Sequence, residues 1–220
     1  MPPAPMPAAS RAQPDVARKV GLTLPDVVDA AAQVADRDGF DAVTLATVAA
    51  TLGVKAPSLY AHVAGLDGLR RELGREGARR LGAAMAGALA EVDGATAHDD
   101  GGRDDPAESL RAVAHAYRRF AHDHPGLYTA MLPAPDPTAD PEAAADFAAA
   151  IAAPAQVTAR FGLPADATID AVRTMRALLH GFVDLELRGG FGLPDPVDDT
   201  FDHAVELIAT ALDPATRERR

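Results

Sequence analysis

The sequence contains neither cysteine nor tryptophan, and only 5% of its 220 residues are aromatic. Without cysteine, disulfide bonds and thiolate metal sites are excluded, and a reducing cytoplasm is the expected compartment. Serine occurs only at positions 10, 58 and 109, which leaves few candidates for a catalytic nucleophile. Residues 1–20 begin with MPPAPMPAAS, which has prolines instead of a basic region followed by an apolar run. We therefore expect a disordered tail there, and neither a signal peptide nor a membrane span.

Positive charge is also scarce, because the formal net charge is −11. Residues 1–82 hold ten Lys/Arg and nine Asp/Glu, net +1, whereas residues 83–220 hold eleven and twenty-three, net −12. A nucleic-acid site is therefore expected in the first part of the chain, with modest non-specific affinity because few cations are available. An acidic surface that merely keeps the protein soluble explains the asymmetry equally well.

Apolar residues recur at helical spacing along most of the chain, and no segment has the alternation of a β-strand. A first helix is predicted between Thr23 and Gly39, and later helices over residues 66–92, 106–124, 126–132, 142–161, 166–188 and 197–212. Pro154 is expected to kink or split its helix. Three Asp-Pro pairs predict helix starts with an aspartate N-cap, at Asp105, Asp140 and Asp195. Residues 93–105, rich in Gly and Asp, are predicted to form a mobile acidic loop.

Residues 44–63, TLATVAATLGVKAPSLYAHV, have the spacing of a helix-turn-helix motif. An apolar stripe predicts a short helix with Thr44 as its N-cap. The stripe consists of Leu45, Val48, Ala49 and Leu52. Gly53 is expected to end this helix and Pro57 to begin a second one, in which Leu59 and Val63 point into the core. The outer face of the second helix then consists of Ser58, Tyr60, Ala61 and His62.

On these residues, the chain from 22 to 73 resembles the DNA-binding domain of the tetracycline-repressor (TetR) family. Family members carry a Gly-Val turn, a few small or polar residues and a Leu-Tyr-x-His/Tyr-Val/Phe string, as residues 53–63 do here. The resemblance implies that base edges or flanking phosphates are approached by Lys55, Ala56, Pro57, Ser58 and Ala61. It implies DNA-backbone contacts from Thr44, Tyr60 and His62. Two positions depart from the family pattern, since Leu66 replaces a usual phosphate-binding Lys and Ala46 replaces a frequent polar contact.

The second half of the chain resembles TetR ligand-binding domains more diffusely, through residues 117–120, 124–125 and 179–182. In such proteins the last two long helices form a four-helix bundle with their copies across a two-fold axis. The last two predicted helices of this chain have more apolar surface than packing on one core requires, which suits such a bundle. The expected interface residues are Leu179, Phe182, Val183, Phe201, Val205 and Ile208. Candidates for an effector pocket, which could equally be core, are Tyr117, Phe120, Tyr128, Met131, Phe147, Met175 and His180.

The sequence thus predicts an all-α protein in two parts. An N-terminal three-helix helix-turn-helix DNA-binding domain (residues 21–65) is joined by a connecting helix (residues 66–92) to a larger α-helical ligand-binding and dimerisation domain (residues 106–220). The predicted function is a TetR-like repressor that binds a palindromic DNA operator as a homodimer and is released by a small-molecule effector. No enzymatic activity, cofactor or membrane partner is expected.

Two alternatives remain open at this point. One is an enzyme built on a helical bundle with an accessory helix-turn-helix, against which the lack of a nucleophile or metal constellation argues. His115, His122 and His124 do not repeat on one helical face, so no metal site is expected. The other alternative is a protein-interaction module that binds no small molecule, which a sizeable pocket would disfavour.

Overall fold

The computed structural model describes residues 21–96 and 105–217. Within these ranges every regular element is a helix, so the all-α prediction is confirmed. None of the helices in the described ranges has the length and apolarity of a transmembrane segment. The predicted tail and residues 97–104 of the predicted loop lie outside the described residues.

The head, residues 21–64, consists of two α-helices and two short 3-10 helices. They are α1 (Leu24–Asp38), a 3-10 helix (Phe40–Ala42), α2 (Leu45–Thr51) and a second 3-10 helix (Ala56–Ala61). α1 starts as predicted, because Thr23 and Asp26 cap it reciprocally: each side chain accepts the other's backbone N–H. The head core is closed by the first turns of the next helix and includes the fully buried side chains Val27, Val34, Val43, Val48, Leu59, Leu69 and Leu73.

The connecting helix is α3 (Gly65–Thr96), which is 32 residues long and spans roughly 48 Å at 1.5 Å per residue. The predicted loop was wrong over residues 93–96, which are still helical. A tertiary contact explains the difference, because Arg160 donates to the Asp93 carboxylate at 2.6 Å and holds the last turn of α3. A glycine in this turn, Gly94, costs only about 1 kcal/mol of helix propensity.

The body, residues 105–217, packs α4, α5, α6 and α7 around α3 and adds two further long helices. Its elements are α4 (Pro106–Asp123), α5 (Pro125–Ala130), α6 (Pro141–Ala150), α7 (Ala152–Arg160), α8 (Ala165–Leu187), α9 (Val197–Leu212) and α10 (Pro214–Arg217). Asp105 and Asp140 cap α4 and α6 as predicted. The aspartate cap predicted at Asp195 is wrong, because Pro196 occupies the N-cap position of α9 and no side chain caps this helix.

The predicted split of the Ala-rich helix is confirmed, and it falls at Ile151, between α6 and α7. Pro154 follows as the third residue of α7. A proline is tolerated there because a first-turn N–H has no partner within the helix. The chain therefore bends just before the proline and not at it.

Head and body meet where α5 begins beside the end of α1. A β-carbon added to Gly126 would lie 2.2 Å from the carbonyl carbon of Ala35, so the two backbones are in direct contact. The Asp36 carboxylate accepts the backbone N–H groups of Gly126 at 2.9 Å and Leu127 at 3.2 Å, and its other oxygen lies 2.9 Å from His124 Nδ1. A carboxylate of α1 thus satisfies free N–H groups at the start of α5.

The opposite side of α5 packs against α3 at similarly close range. A β-carbon at Gly77 would lie 2.7 Å from the Leu127 carbonyl oxygen, and one at Gly74 would lie 3.0 Å from that of Ala130. Gly77 therefore requires glycine for this approach, and a side chain at Gly74 would fit only if α5 shifted by a few tenths of an ångström. At these glycines the backbone of α5 contacts α1 on one side and α3 on the other.

Candidate functional site

Hydrogen bonds at both ends of α2 fix the helix-turn-helix geometry. At the start, Thr44 Oγ1 accepts the Thr47 N–H at 3.1 Å, and Thr47 Oγ1 accepts the Thr44 N–H at 2.9 Å. At the end, Gly53 has the left-handed φ of +66°, and the Val54 N–H donates to the Ala49 carbonyl at 3.0 Å. This is a Schellman motif, which sets the exit direction of the chain. The predicted N-cap and glycine stop are confirmed, whereas Thr47 was missed although it lies three residues after the cap.

The second helix of the motif lies where predicted, but it is a 3-10 helix. The Ser58 N–H donates to the Lys55 carbonyl and the His62 N–H to the Leu59 carbonyl, both at 2.9 Å. Only six residues separate the turn from the next bend, and short helical segments often adopt this tighter form. The fully buried Leu59 ties the segment to the head core.

The residues predicted to contact DNA remain accessible on this framework. Exposed among them are Thr44, Lys55, Pro57, Ser58, Tyr60 and Ala61, and half-buried are Ala56 and His62. Tyr60 is 64% exposed, which is unusual for a side chain with this much apolar surface. The Ser58 hydroxyl donates to the Lys55 carbonyl at 2.7 Å. In this geometry it can therefore only accept a hydrogen bond from a base edge. The individual roles of these residues remain predictions.

Cations are nearly absent from this surface. Lys55 is the only Lys or Arg between Arg37 and Arg70, and the first turn of α3 carries Asp67. Leu66, beside it, is half-buried and does not belong to the hydrophobic core or to the residues packed against that core. Its side chain therefore lies at the edge of the head, where a longer polar chain has access to solvent.

The body contains a small interior cavity of about 50 Å³. Four of the predicted pocket residues line it: Tyr117, Met131, Phe147 and Met175. The rest of the lining is mostly apolar and includes Met85 and Leu179, with Arg176 as its one charged residue. The cavity lies between α3, α4, α6, α7 and α8, close to the end of α5.

The other three predicted pocket residues do not line the cavity. Phe120 is a core residue. Tyr128 connects two side chains, because its hydroxyl lies 3.1 Å from the Tyr117 hydroxyl and 2.5 Å from His180 Nδ1. Burial raises the pKa of both tyrosines, so they remain neutral and the hydroxyl chain stays hydrogen-bonded. The chain reaches the cavity wall at Tyr117.

Five of the six residues predicted for the dimer interface lie inside the protomer, so they are not available to a partner subunit. Buried are Leu179, Val183, Phe201, Val205 and Ile208. The sixth, Phe182, is half-buried and packs edge-on against Phe201 with ring centroids 5.2 Å apart. The apolar stripe of α9 is already used by its packing on α4 and α8. Exposed apolar side chains of α8 are instead Ile169, Leu178, Leu185 and Leu187, and α9 exposes Leu207.

The clustered histidines bind carboxylates of three different helices. The pairs are His115 with Asp202 at 2.8 Å, His122 with Glu186 at 3.0 Å and His124 with Asp36 at 2.9 Å. The rings therefore point in different directions. No group of three or more potential metal ligands forms within residues 21–96 and 105–217.

An all-helical chain with a helix-turn-helix head and an exposed second helix is, by fold and site, a DNA-binding regulator. Residues 27–73 match the bacterial regulatory proteins of the tetR family, and residues 110–208 match the tetracyclin repressor-like C-terminal domain. The chain is 33% identical over 210 residues to the uncharacterized HTH-type transcriptional regulator Rv0681 of Mycobacterium tuberculosis, covering 96% of this chain and 90% of the relative. This protein belongs to the TetR family of transcriptional regulators.

Two further comparisons agree over nearly the whole length. The uncharacterized HTH-type transcriptional regulator YobS of Bacillus subtilis is 30% identical over 195 residues, which cover 88% of this chain and 94% of YobS. A protein of unknown function from Rhodococcus sp. RHA1 has the same fold, with a TM-score of 0.70 at 21% identity, covering 90% of this chain and 98% of that one. Head and body therefore occur together in both relatives and structures.

Proposed function

We propose that this TetR-family regulator is a repressor that binds a palindromic operator as a homodimer and leaves it when a small molecule occupies the body. The observation that carries the proposal is the exposed surface of residues 55–62, held by a capped α2 and a Schellman turn. TetR-family regulators bind DNA and small-molecule ligands and are dimers. A two-fold dimer presents two such surfaces to two half-sites, which makes the operator palindromic.

The same surface suggests how recognition is divided. Ser58, near the start of the second helix, can accept a hydrogen bond from a base edge, and Lys55 beside it can meet a base or a phosphate. Thr44, Tyr60 and His62 flank these two residues, and they can contact the DNA backbone and so position the protein on the duplex. With one cation on the surface, affinity comes from geometry more than from counterion release, and non-specific binding is weak.

For the dimer we propose the exposed faces of α8 and α9. Leu178 and Leu185 are seven residues apart and share a face of α8, with Gly181 between them and open space above it. Leu207 gives α9 an apolar residue that is 55% exposed. A second copy of the same two helices covers these side chains in a four-helix arrangement.

For effector release we propose that the interior cavity opens. At about 50 Å³ it is far smaller than the roughly 300 to 1,000 Å³ of typical ligand sites. Met85, Met131 and Met175 line it, and methionine side chains can change shape at low cost. Met131 is the C-cap of α5, so an effector that displaces it pushes on the helix that contacts α1 of the head.

No catalytic step is part of the proposal. The buried Ser109 hydroxyl accepts a hydrogen bond from Arg160 at 2.8 Å, and an arginine cannot serve as its general base. Ser58 lies on the DNA-recognition helix.

The DNA proposal is tested by presenting the purified protein with a pool of random duplexes and measuring binding to the recovered sequences by fluorescence anisotropy. Ser58→Ala should weaken the selected duplex by roughly tenfold and random DNA much less, if the hydroxyl reads a base. Tyr60→Phe should weaken both alike, because backbone contacts carry no sequence information.

The matched control is Thr129→Ala, which removes a hydroxyl bonded to its own helix backbone in the body. It should leave both affinities unchanged. Recovery of no preferred duplex from the pool would refute operator binding, and equal losses on both DNAs for Ser58→Ala would remove that side chain from base recognition.

A further inference from the structure

A second concave site lies at the junction of head and body, outside the interior cavity. This junction groove has a volume of about 460 Å³. It is bounded by Phe40 of the head, by α3 and by the loop and helix formed by residues 132–147. The largest apolar side chains that line it are those of Phe40, Pro133, Pro135 and Phe147. Phe147 also lines the interior cavity and is the wall shared by the two.

Two arginines of α3 face this groove without a carboxylate partner. The Arg70 guanidinium lies over the Phe40 ring, 5.2 Å from its centroid, and its Nε is buried without a hydrogen-bond partner. Neither Arg70 nor Arg71 forms an ion pair with any acidic side chain of the described residues. The next arginines of the same helix do: Arg75 contacts Asp146 at 2.7 Å, and Arg80 contacts Asp29 at 2.5 Å.

The two acidic side chains in the groove wall are already hydrogen-bonded to their own segment. Asp136 Oδ1 accepts the backbone N–H of Thr138 at 2.8 Å and its hydroxyl at 2.7 Å, and these bonds lower the pKa of Asp136. Asp140 Oδ1 accepts the Ala143 N–H at 2.9 Å as the N-cap of α6. Among the described residues, Arg70 Nε is the one buried side-chain N–H without a partner, and Arg71 is exposed to solvent. Both guanidinium groups therefore have donors that no acidic side chain of the groove occupies.

We propose that the junction groove is a second ligand site, which binds a small aromatic carboxylate. The aromatic ring packs against Phe40 and the two prolines, and the carboxylate accepts hydrogen bonds from Arg70 and Arg71. The volume lies within the range of small-molecule sites, and arginine matches a carboxylate with paired donors. Because Phe40 belongs to the head and the prolines to the body, the bound acid contacts both parts.

Three probes of one shape and different charge test the proposal by isothermal titration calorimetry on the full chain: naphthoate, naphthylmethanol and naphthylmethylamine. Naphthoate should bind at least about tenfold more tightly than the neutral alcohol, and the amine should bind most weakly. Arg70→Met and Arg71→Met keep the apolar stem and remove the donors. Each should weaken naphthoate by about tenfold and leave the alcohol unchanged.

Arg173→Met is the matched control, because Arg173 is an exposed arginine on α8, and its naphthoate affinity should equal that of the wild type. Arg71 is exposed, so its variant stays folded even where loss of the Arg70–Phe40 contact lowers stability. Ala134→Trp, at an exposed position of the groove wall, should also reduce naphthoate binding.

Three results would each overturn the proposal. The first is no heat from naphthoate at millimolar concentration, and the second is equal affinity for all three probes. The third is loss of binding on Met175→Trp, which fills the interior cavity, together with unchanged binding by Arg71→Met. That combination would place the probe in the cavity and not in the groove.

Discussion

Leu66 stands in the first turn of α3, at the edge of the head, where TetR-like proteins usually present a lysine to a DNA phosphate. Because its side chain is half-buried and outside the core, we predict that Leu66→Lys folds normally and binds DNA more tightly. One more neutralised phosphate should steepen the log–log salt dependence of binding by roughly 0.9. Phosphates carry no base identity, so the order of preferred sequences should not change.

The measurement is a titration of one selected duplex at several salt concentrations, beside a thermal melt of each protein. Ala83→Lys adds the same charge to an exposed position of α3 roughly 25 Å further along the helix and should leave the slope unchanged. An unchanged slope with a lower melting temperature for Leu66→Lys would show that the leucine is needed for packing.

Tyr117 and Tyr128 should not ionise in the native protein near pH 10, because burial raises the pKa of both. The folded state then retains protons that the unfolded chain loses, so stability should fall as the pH rises above about 10. Tyrosinate absorbance of the native protein should fall short of that of urea-unfolded protein by two side chains.

Tyr128→Phe should reduce this shortfall to one side chain. It should also destabilise the fold by about 1 to 3 kcal/mol, because the Tyr117 hydroxyl loses its partner. Coincident titration curves for native and unfolded protein would contradict the burial of these hydroxyls.

Local patterns were the part of the site that could be read from the sequence. The N-caps at Thr23 and Thr44 and the glycine at 53 depend on residues within a few positions of each other, and all three were found. The cap predicted at Asp195 used an equally local rule, and it was wrong because Pro196, one residue further on, is the N-cap of α9. Asp36 could not be found at all, since its partner amides lie 90 residues away in the chain.

Helix packing explains the larger errors. α3 runs through Thr96 because Arg160 of α7 holds it, and a contact between distant helices leaves no signal in the Gly- and Asp-rich segment itself. The apolar stripe of α9 was assigned to a partner subunit, although α4 and α8 of the same protomer cover it. Periodicity identifies which face of a helix is buried, but it does not say what buries it.

Gly126 is the residue that allows α1 and α5 to pack in direct backbone contact. We predict that Gly126→Ala destabilises the protein by about 3 kcal/mol or prevents folding, because its β-carbon would collide with the Ala35 backbone. Gly87→Ala is the control, since Gly87 is a helical glycine of α3 with nothing within 4 Å of an added β-carbon. That substitution should stabilise by about 0.5 to 1 kcal/mol through the unfolded state. Urea unfolding of the two variants checks both values, and equal effects would show that α1 and α5 can move apart freely.

We predict that the protein is a dimer and that acidic substitutions on the exposed faces of α8 and α9 disrupt it. Leu185→Glu and Leu207→Glu place carboxylates on the exposed faces of α8 and α9 and should give folded monomers in sedimentation velocity. Leu193→Glu changes a leucine that is 79% exposed outside these two helices and should sediment like the wild type. Dimers that persist in both helix variants would place the interface elsewhere.

Dimerisation also bears on DNA binding, since a monomer presents only one recognition surface. The two glutamate variants should therefore lose most affinity for a full palindrome while keeping their helical content. A single half-site should be bound equally by wild type and variants.

The glycine contacts around α5 have a mechanical consequence. Side chains between two helices normally act as compliant material, because small rotamer adjustments absorb displacements of a few tenths of an ångström. Between Gly126 and Ala35, and between Gly77 and Leu127, backbone rests on backbone and that compliance is missing. We therefore expect a shift imposed on Met131, beside the cavity, to reach the end of α1 with less damping than an interface of side chains would allow.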